Sequence, residues 1–277
     1  MLSEVNIALS QISPKIGDKK RNLNHMKKQI KQAKENGANL IVFPELALTG
    51  YTLRDTVYES AEPIPGPSTN LLTEVAKKEN IHMIFGMVEK SQKANAVLYN
   101  TAVLLSPKGL VGKYQKMHLP THSVFEEKRY FRLGYELPVF ETNVGKLGII
   151  ICYDVFFPET VRLLRLKGAQ LIICISASPA VRSKFFEALI VARAIENTVF
   201  LAYVNLVGIE DGLQFWGGSR LIAPNGSVIS QAKYDDEDLV IGKINYGDLK
   251  RIETFVPTLR DLRPELFGFL KKQAENL

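Results

Sequence analysis

The amino-acid sequence predicts an α/β protein made of one domain, with helices packed on the outside of one or two sheets. Three observations carry that expectation. A strand–helix–strand pattern repeats along the chain and gives way to a strand-rich middle and end. Several strand segments are apolar throughout, so both of their faces must be covered. No internal repeat, low-complexity tract or Gly/Ser-rich linker divides the 277 residues, a length that one large domain or two ordinary ones could fill.

The elements follow in order. "EVNIALSQ" (4–11) alternates and reads as a strand. "KKRNLNHMKKQIKQAKENG" (19–37) places Leu23, Met26, Ile30 and Ala33 at helical spacing, with Lys27, Lys31 and Lys34 on the opposite side. Asp18 is its expected N-cap, and Gly37 stands just past its end. "NLIVFPE" (39–45) is a short buried strand stopped at Pro44. "STNLLTEVAKKEN" (68–80) predicts a helix and "IHMIFGMVE" (81–89) a strand. "NTAVLLSPKGLVGKYQK" (100–116) predicts a hairpin turning at "SPKG".

An irregular stretch from 117 to 137 exceeds ordinary connection lengths, which marks it as functional. "LGIIIC" (147–152) is a buried strand, followed by a helix that begins at Pro158 and ends near Gly168. "AQLIICISA" (169–177) predicts a strand and "SKFFEALIVARAIEN" (183–197) a helix. "TVFLAYVNLVG" (198–208) is another strand, and "GGSRLIAPNGSVIS" (217–230) a hairpin across "PNGS". "DLVIGKINY" (238–246) supplies the last strand. The tail, 258–277, starts a helix at Pro264 with Leu266, Phe269 and Leu270. It is too short for a core of its own and should dock on the body or on a partner subunit.

Composition narrows the function. Hydrophobic residues make up 46% and charged residues 23% of the chain, as in globular proteins. No stretch approaches the roughly 18–20 apolar residues of a membrane span. The first residues lack the basic, apolar and small-residue succession of a signal peptide. Cys152 and Cys174 are the two cysteines, too few for a disulfide framework, so a cytoplasmic location is expected. The net charge of +6 invites a nucleic-acid partner, but the lysines form the wet face of the first helix. No aromatic residues interleave with them, so neither nucleic acid nor membrane is expected as a partner.

Three apolar strands end in a residue capable of chemistry: Glu45, Lys116 and Cys152. Ligands of α/β proteins collect at the carboxyl ends of strands. Taken singly, Cys152 reads as core, Glu45 as a turn cap and Lys116 as a solvated charge. Together they complement one another. A thiol reacts as its thiolate, a carboxylate can take its proton and pass it to a leaving amine, and an ammonium can stabilise the resulting oxyanion.

"VFPELALTGY", "GKYQKMHLP", "FEEKRYF" and "GIIICYDVFFPE", with "ARAIEN", "NLVG" and "WGGSRLIAPNGSVI" after them, resemble the signature segments of the nitrilase (carbon–nitrogen hydrolase) superfamily, in order and over nearly the whole chain. The resemblance implies a four-layer α-β-β-α sandwich and a Glu-Lys-Cys triad. Glu45 would be the general acid/base, Lys116 the oxyanion stabiliser and Cys152 the nucleophile. A second glutamate, Glu127 with Glu126 the adjacent alternative, would position Lys116 and the substrate amide. The N–H of Tyr153 would complete the oxyanion hole, and no metal or organic cofactor is needed.

Tyr153-Asp154 after the nucleophile suits amidases and carbamoyl hydrolases, whereas "LPTHSVFEEKRYF" is similar to the glutaminase domains of NAD synthetases. The expected reaction is hydrolysis of a small linear amide or N-carbamoyl compound through a thioester. A glutaminase serving a separate synthetase, a nitrilase, and a catalytically silent scaffold are the alternatives. Tyr51, Tyr153, Phe156, Ser176 and Ser178 are expected in the substrate pocket, and a homodimer or multiple of dimers is the expected assembly. His118 and His122 flank Pro120 without a third ligand, so no metal is assigned to them. Cys174 reads as core, Asn225 as a turn residue, and Arg193 with Glu196 as a buried structural or interface pair, with a site-facing Arg193 as the alternative.

Overall fold

The computed structural model of the chain describes residues 2–94 and 96–276. In chain order the first half comprises β1 (Glu4–Gln11), α1 (Lys19–Glu35), β2 (Leu40–Val42), α2 (Val57–Ser60), α3 (Pro67–Glu79), β3 (His82–Lys90), β4 (Leu98–Ser106), β5 (Gly109–Gln115) and α4 (Glu127–Tyr130). Next come β6 (Val139–Thr142), β7 (Gly145–Ile151), α5 (Pro158–Leu166), β8 (Leu171–Ser176), α6 (Ser183–Asn197) and β9 (Phe200–Asn205). The chain closes with β10 (Val207–Glu210), β11 (Leu213–Trp216), β12 (Arg220–Ile222), β13 (Val228–Gln231), β14 (Asp238–Asn245), α7 (Gly247–Phe255) and α8 (Glu265–Ala274).

The strands form two six-stranded sheets, ordered β14-β1-β2-β3-β4-β5 and β13-β12-β9-β8-β7-β6, plus a β10-β11 ribbon. Side-chain alternation along the first sheet assigns its two faces. Val5, Ile7, Leu9, Leu40, Val42 and Ile84 join the core they share with the second sheet. Ala8, Ile41, Phe43, Met83 and Phe85 point the other way, onto Met26, Ile30 and Ala33 of α1 and Leu72 and Ala76 of α3. Val161 and Leu164 of α5 and Phe186, Ile190 and Ala194 of α6 cover the second sheet. The layers are therefore α-β-β-α.

Asp18 caps α1 as its sequence position suggests, its carboxylate accepting the Arg21 N–H at 2.9 Å. Other elements differ from expectation. β1 is buried on both faces over most of its length rather than alternating, because it lies between a helix layer and a second sheet. "TVFLAYVNLVG" breaks at Leu206 into β9 and β10, which enter different sheets. β6, β11 and α7 carry too little pattern to stand out in the sequence. α8 forms after Pro264 as expected, but every one of its residues is exposed; Leu277 lies outside the described residues. No helix among the described residues is long and apolar enough to cross a membrane.

Candidate active site

The topology brings three strand ends together. β2 and β5 run in the same direction in the first sheet, and β7 and β8 run parallel in the second. Glu45 follows β2, Lys116 follows β5 and Cys152 follows β7, with the sheets face to face. A direct bond joins the sheets at this point: Glu45 Oε2 accepts the Ala177 N–H, just past β8, at 2.8 Å. The Glu45 backbone reaches its place because residue 86 on β3 is glycine. A Cβ there would lie 2.3 Å from the Leu46 nitrogen and 2.8 Å from Glu45 Cα.

Lys116 is the hub. Its Nζ donates to Glu45 Oε1 and to Glu127 Oε1, each at 2.7 Å, and its side chain has no solvent exposure. A buried ammonium is tolerable only when paired and hydrogen-bonded in this way. Asn100 Nδ2 also donates to Glu45 Oε1 at 2.7 Å, and the Tyr51 hydroxyl donates to Glu127 Oε1 at 2.8 Å. Of the two adjacent glutamates, Glu127 enters the cluster while Glu126 keeps a 62% exposed side chain on the Arg129 side.

Electrostatics follow from burial and these pairs. For Lys116, burial works against the charge, but the Glu127 and Glu45 carboxylates outweigh it and hold the ammonium protonated well above the usual lysine range. Glu127 is pushed up to about 7 by burial, with Lys116 opposing and Glu45 adding to the rise. Burial and the Glu45 charge raise the Cys152 thiol, while Lys116 and the nearby Ser176 hydroxyl moderate the rise. The thiol therefore rests protonated. Burial, with Glu127 and Glu45 beside it, raises Tyr51, which stays a hydroxyl donor.

Cys152 leaves β7 with φ +47°, a left-handed conformation that a non-glycine residue adopts at a cost. It opens a 3₁₀ turn, Cys152–Phe156, which starts with the Tyr153 peptide. Arg193, 6% exposed, fixes that turn from α6: its Nε donates to the Val155 carbonyl at 2.9 Å and its Nη2 to the Phe156 carbonyl at 3.2 Å. Its Nη1 pairs with Glu196 at 3.1 Å. Cys152 is 5% exposed and borders a cavity of about 10 Å³ walled by His122, Phe125, Tyr153, Phe156 and Phe186. A cleft of about 560 Å³ lies on the Glu127 side, lined by Tyr51, Leu53, Val124 and Leu213 among others.

Of the expected pocket residues, Tyr153 and Phe156 wall the thiol cavity, Tyr51 bonds to Glu127, and Ser176 stands beside the thiol. Ser178 does not join them. Its N–H donates to Asn205 Oδ1 at 2.8 Å, and its Oγ accepts from Trp216 Nε1 at 3.4 Å, so it braces β9 and β11 instead. His118 Nδ1 donates to Asp154 at 2.8 Å, and His122 packs against Phe125 and Tyr153. Among the described residues no group of three or more His, Cys, Asp and Glu is placed to hold a metal. Cys174 is fully buried, and Asn225 accepts from Ser227 within its turn.

Sequence reading missed Asn100, the Ala177 N–H and Glu210. Glu210 Oε2 accepts the Tyr51 and Thr52 N–H groups at 2.8 and 2.9 Å, which anchors the segment carrying Tyr51. No local pattern marks any of these three. Several buried polar atoms near Glu45, Lys116 and Cys152 have no partner among the described residues: Glu127 Oε2, Asn100 Oδ1, Ser176 Oγ and the Tyr203 hydroxyl. Buried polar groups left open in this way mark where a polar ligand can complete the bonding.

Comparison with known proteins converges on one family. Residues 6–253 match the family model described as carbon-nitrogen hydrolase. The chain is similar to a nitrilase of Pyrococcus abyssi, 36% identical over 95% of this chain and 99% of that one. It is also 34% identical to an omega-amidase of Xenopus tropicalis, over 92% and 94% of the two chains. Its fold matches that of a mutant amidase from Nesterenkonia sp. AN1 with a TM-score of 0.83 and 29% identity, covering 95% of each chain. In that mutant the acetamide moiety of fluoroacetamide is covalently added at the active-site cysteine.

Proposed function

This chain belongs to the carbon–nitrogen hydrolase family and is an enzyme acting on non-peptide C–N bonds; from that premise we propose that it hydrolyses a small linear carboxamide or N-carbamoyl compound through a thioester on Cys152. The observation that carries this reading is the fully buried Lys116 ammonium held at 2.7 Å by two carboxylates, Glu45 and Glu127.

In the first half-reaction the Cys152 sulfur attacks the carbonyl carbon as its proton passes to Glu45. Coupling of the two events fits a thiol that burial keeps protonated at rest. The oxyanion forms against Lys116 Nζ and the Tyr153 N–H. Glu45 returns the proton to the leaving nitrogen, the C–N bond breaks, and ammonia or an amine departs. In the second half-reaction Glu45 takes a proton from water, whose oxygen adds to the thioester carbonyl. Collapse of that adduct releases the acid and restores the thiol. The open Oε2 of Glu127 is suited to accept the N–H of the substrate amide.

The alternatives share the same nucleophile and differ in substrate. Ammonia release should therefore be measured on simple amides, N-carbamoyl compounds, glutamine and nitriles, with Cys152→Ala as the blank. The expected result is turnover of an amide or carbamoyl compound that the variant lacks, a loss of at least about 10⁴-fold. Equal ammonia release by Cys152→Ala would overturn the mechanism, and turnover confined to nitriles or to glutamine would move the substrate class.

A further inference from the structure

Lys116 and Cys152 come from different sheets, β5 of the first and β7 of the second. The packing between the sheets is apolar and non-directional, and so is poorly suited to fixing an ammonium relative to a sulfur. Glu45 bonds across the junction through the Ala177 N–H, and a second carboxylate ties the strand before Lys116 to the turn that carries Cys152. Asp154, two residues past Cys152, has no solvent exposure and accepts four hydrogen bonds. Its Oδ2 accepts the N–H of Ile151, the last residue of β7, at 2.9 Å, and the hydroxyl of Tyr114, on β5, at 2.7 Å. Its Oδ1 accepts the His118 backbone N–H at 3.0 Å and the His118 Nδ1–H at 2.8 Å.

The pattern is specific in sequence. Tyr114 and His118 stand two residues before and two after Lys116, while Ile151 and Asp154 stand one before and two after Cys152. The lysine is thus bracketed on both sides by bonds to the turn that holds the sulfur. The His118 ring is itself held, stacked on Phe157 with centroids 3.7 Å apart and planes 9° apart. The Asp154 carbonyl accepts the Thr160 hydroxyl at 2.9 Å, which ties the same turn to α5. With both oxygens occupied, a carboxylate of this kind is an acceptor-only hub, and no neutral side chain reproduces it.

We infer that Asp154 is a positioning residue that fixes the Lys116 ammonium relative to the Cys152 sulfur. It acts through Lys116 and touches no reacting atom. The inference rests on the reading of Cys152 as nucleophile and Lys116 as its electrostatic partner. A purely structural Asp154 would contribute stability and leave the reactivity of the folded protein unchanged.

The rate at which iodoacetamide alkylates Cys152 near neutral pH, followed by mass spectrometry, separates the two. Burial keeps the thiol protonated, and of the groups acting on it, Glu45, Lys116, Glu127 and Ser176, only Lys116 is a cation. Loosening Lys116 should therefore disfavour the thiolate and slow the reaction. In Asp154→Asn we expect alkylation about tenfold slower. Cys174, fully buried, should stay unmodified, which shows that the folded protein is being read. Tyr114→Phe, which removes one of the four donors and spares the carboxylate, should slow alkylation less. In a Lys116→Met background, Asp154→Asn should add nothing, because two changes acting through one interaction do not sum. An unchanged alkylation rate in folded Asp154→Asn, or a full additional slowing in the Lys116→Met background, would overturn the inference. If Lys116→Met alone leaves the rate in place, the reading of Lys116 has failed and the role of Asp154 falls with it.

Discussion

The two walls of the candidate active site hold the same ammonium in different ways. Glu45 follows a strand, and both its oxygens are engaged, by Lys116 and Asn100 on one side and by the Ala177 N–H on the other. Glu127 enters from the long segment after β5, on a helical turn of four residues. Its Oε1 accepts from Lys116 and Tyr51, and its Oε2 has no partner among the described residues. A fully bonded carboxylate on a rigid strand end can shuttle a proton without moving. A half-bonded carboxylate on a loop has one oxygen left for a ligand and a proton affinity close to neutrality. Division of labour between the walls is the lesson, and variants on each wall can break it.

The largest effect should come from the strand wall. Glu45→Gln keeps the shape and most of the contacts but cannot take the thiol proton, so kcat should fall by about 10²–10⁴-fold. Formation of the thioester should slow as much as overall turnover, which a rapid-quench measurement of the covalent intermediate would check. A variant that forms the thioester at the normal rate would move the base to the loop wall and reverse the comparison.

The loop wall should give a smaller loss and a change in pH dependence. Glu127→Gln leaves Lys116 one carboxylate, that of Glu45, and we expect kcat/KM to fall by about 10–100-fold, in the range of a single charged contact. In the natural protein Glu127 titrates near 7, so kcat/KM should rise with pH through a limb centred there. That limb should vanish in Glu127→Gln. The sign for stability is opposite. The folded state holds a proton on Glu127 between the ordinary carboxylate value of 4.5 and about 7, where the unfolded chain has released it. This group's contribution to stability is therefore lost as pH rises through that window. A limb that persists in Glu127→Gln would assign it to another group.

The same contrast explains what could be read from the sequence. The strand wall is legible because its chemistry sits where apolar runs stop: after Pro44, after "GKYQ" and after "GIII". Helices outside one or two sheets are legible because those runs are too apolar to leave a face open, whereas the four-layer α-β-β-α stacking is implied only by the family resemblance. What was missed depends on register and on how two sheets stack. Asn100 reaches Glu45 because β4 lies beside both β3 and β5, and the Ala177 N–H reaches it only once the second sheet is in place. The choice between Glu126 and Glu127 is made by the turn that begins at residue 127, with Glu126 outside it. Ser178, two residues along from Ser176, looks equivalent on strand parity, yet the chain has left β8 by then and Asn205 claims its backbone.

The smallest effect should come from the hydroxyl that supports the loop wall. Tyr51→Phe removes one donor from Glu127 Oε1 and leaves the Lys116 contact in place, so kcat/KM should fall only about 3–10-fold, as for one ordinary hydrogen bond. The direction of its second effect is more telling. The Tyr51 bond favours the ionised form of Glu127, so without it the acid limb should move above 7, and activity lost below neutrality should exceed that lost in alkali. The Tyr51 ring, in edge contact with Phe125 and Phe215 at 6.4 and 6.0 Å, remains in the phenylalanine variant, so a shift in the limb reports the hydroxyl alone. If the limb stays put while kcat/KM falls, Tyr51 is serving the substrate rather than Glu127, and the loop wall would be held by Lys116 alone.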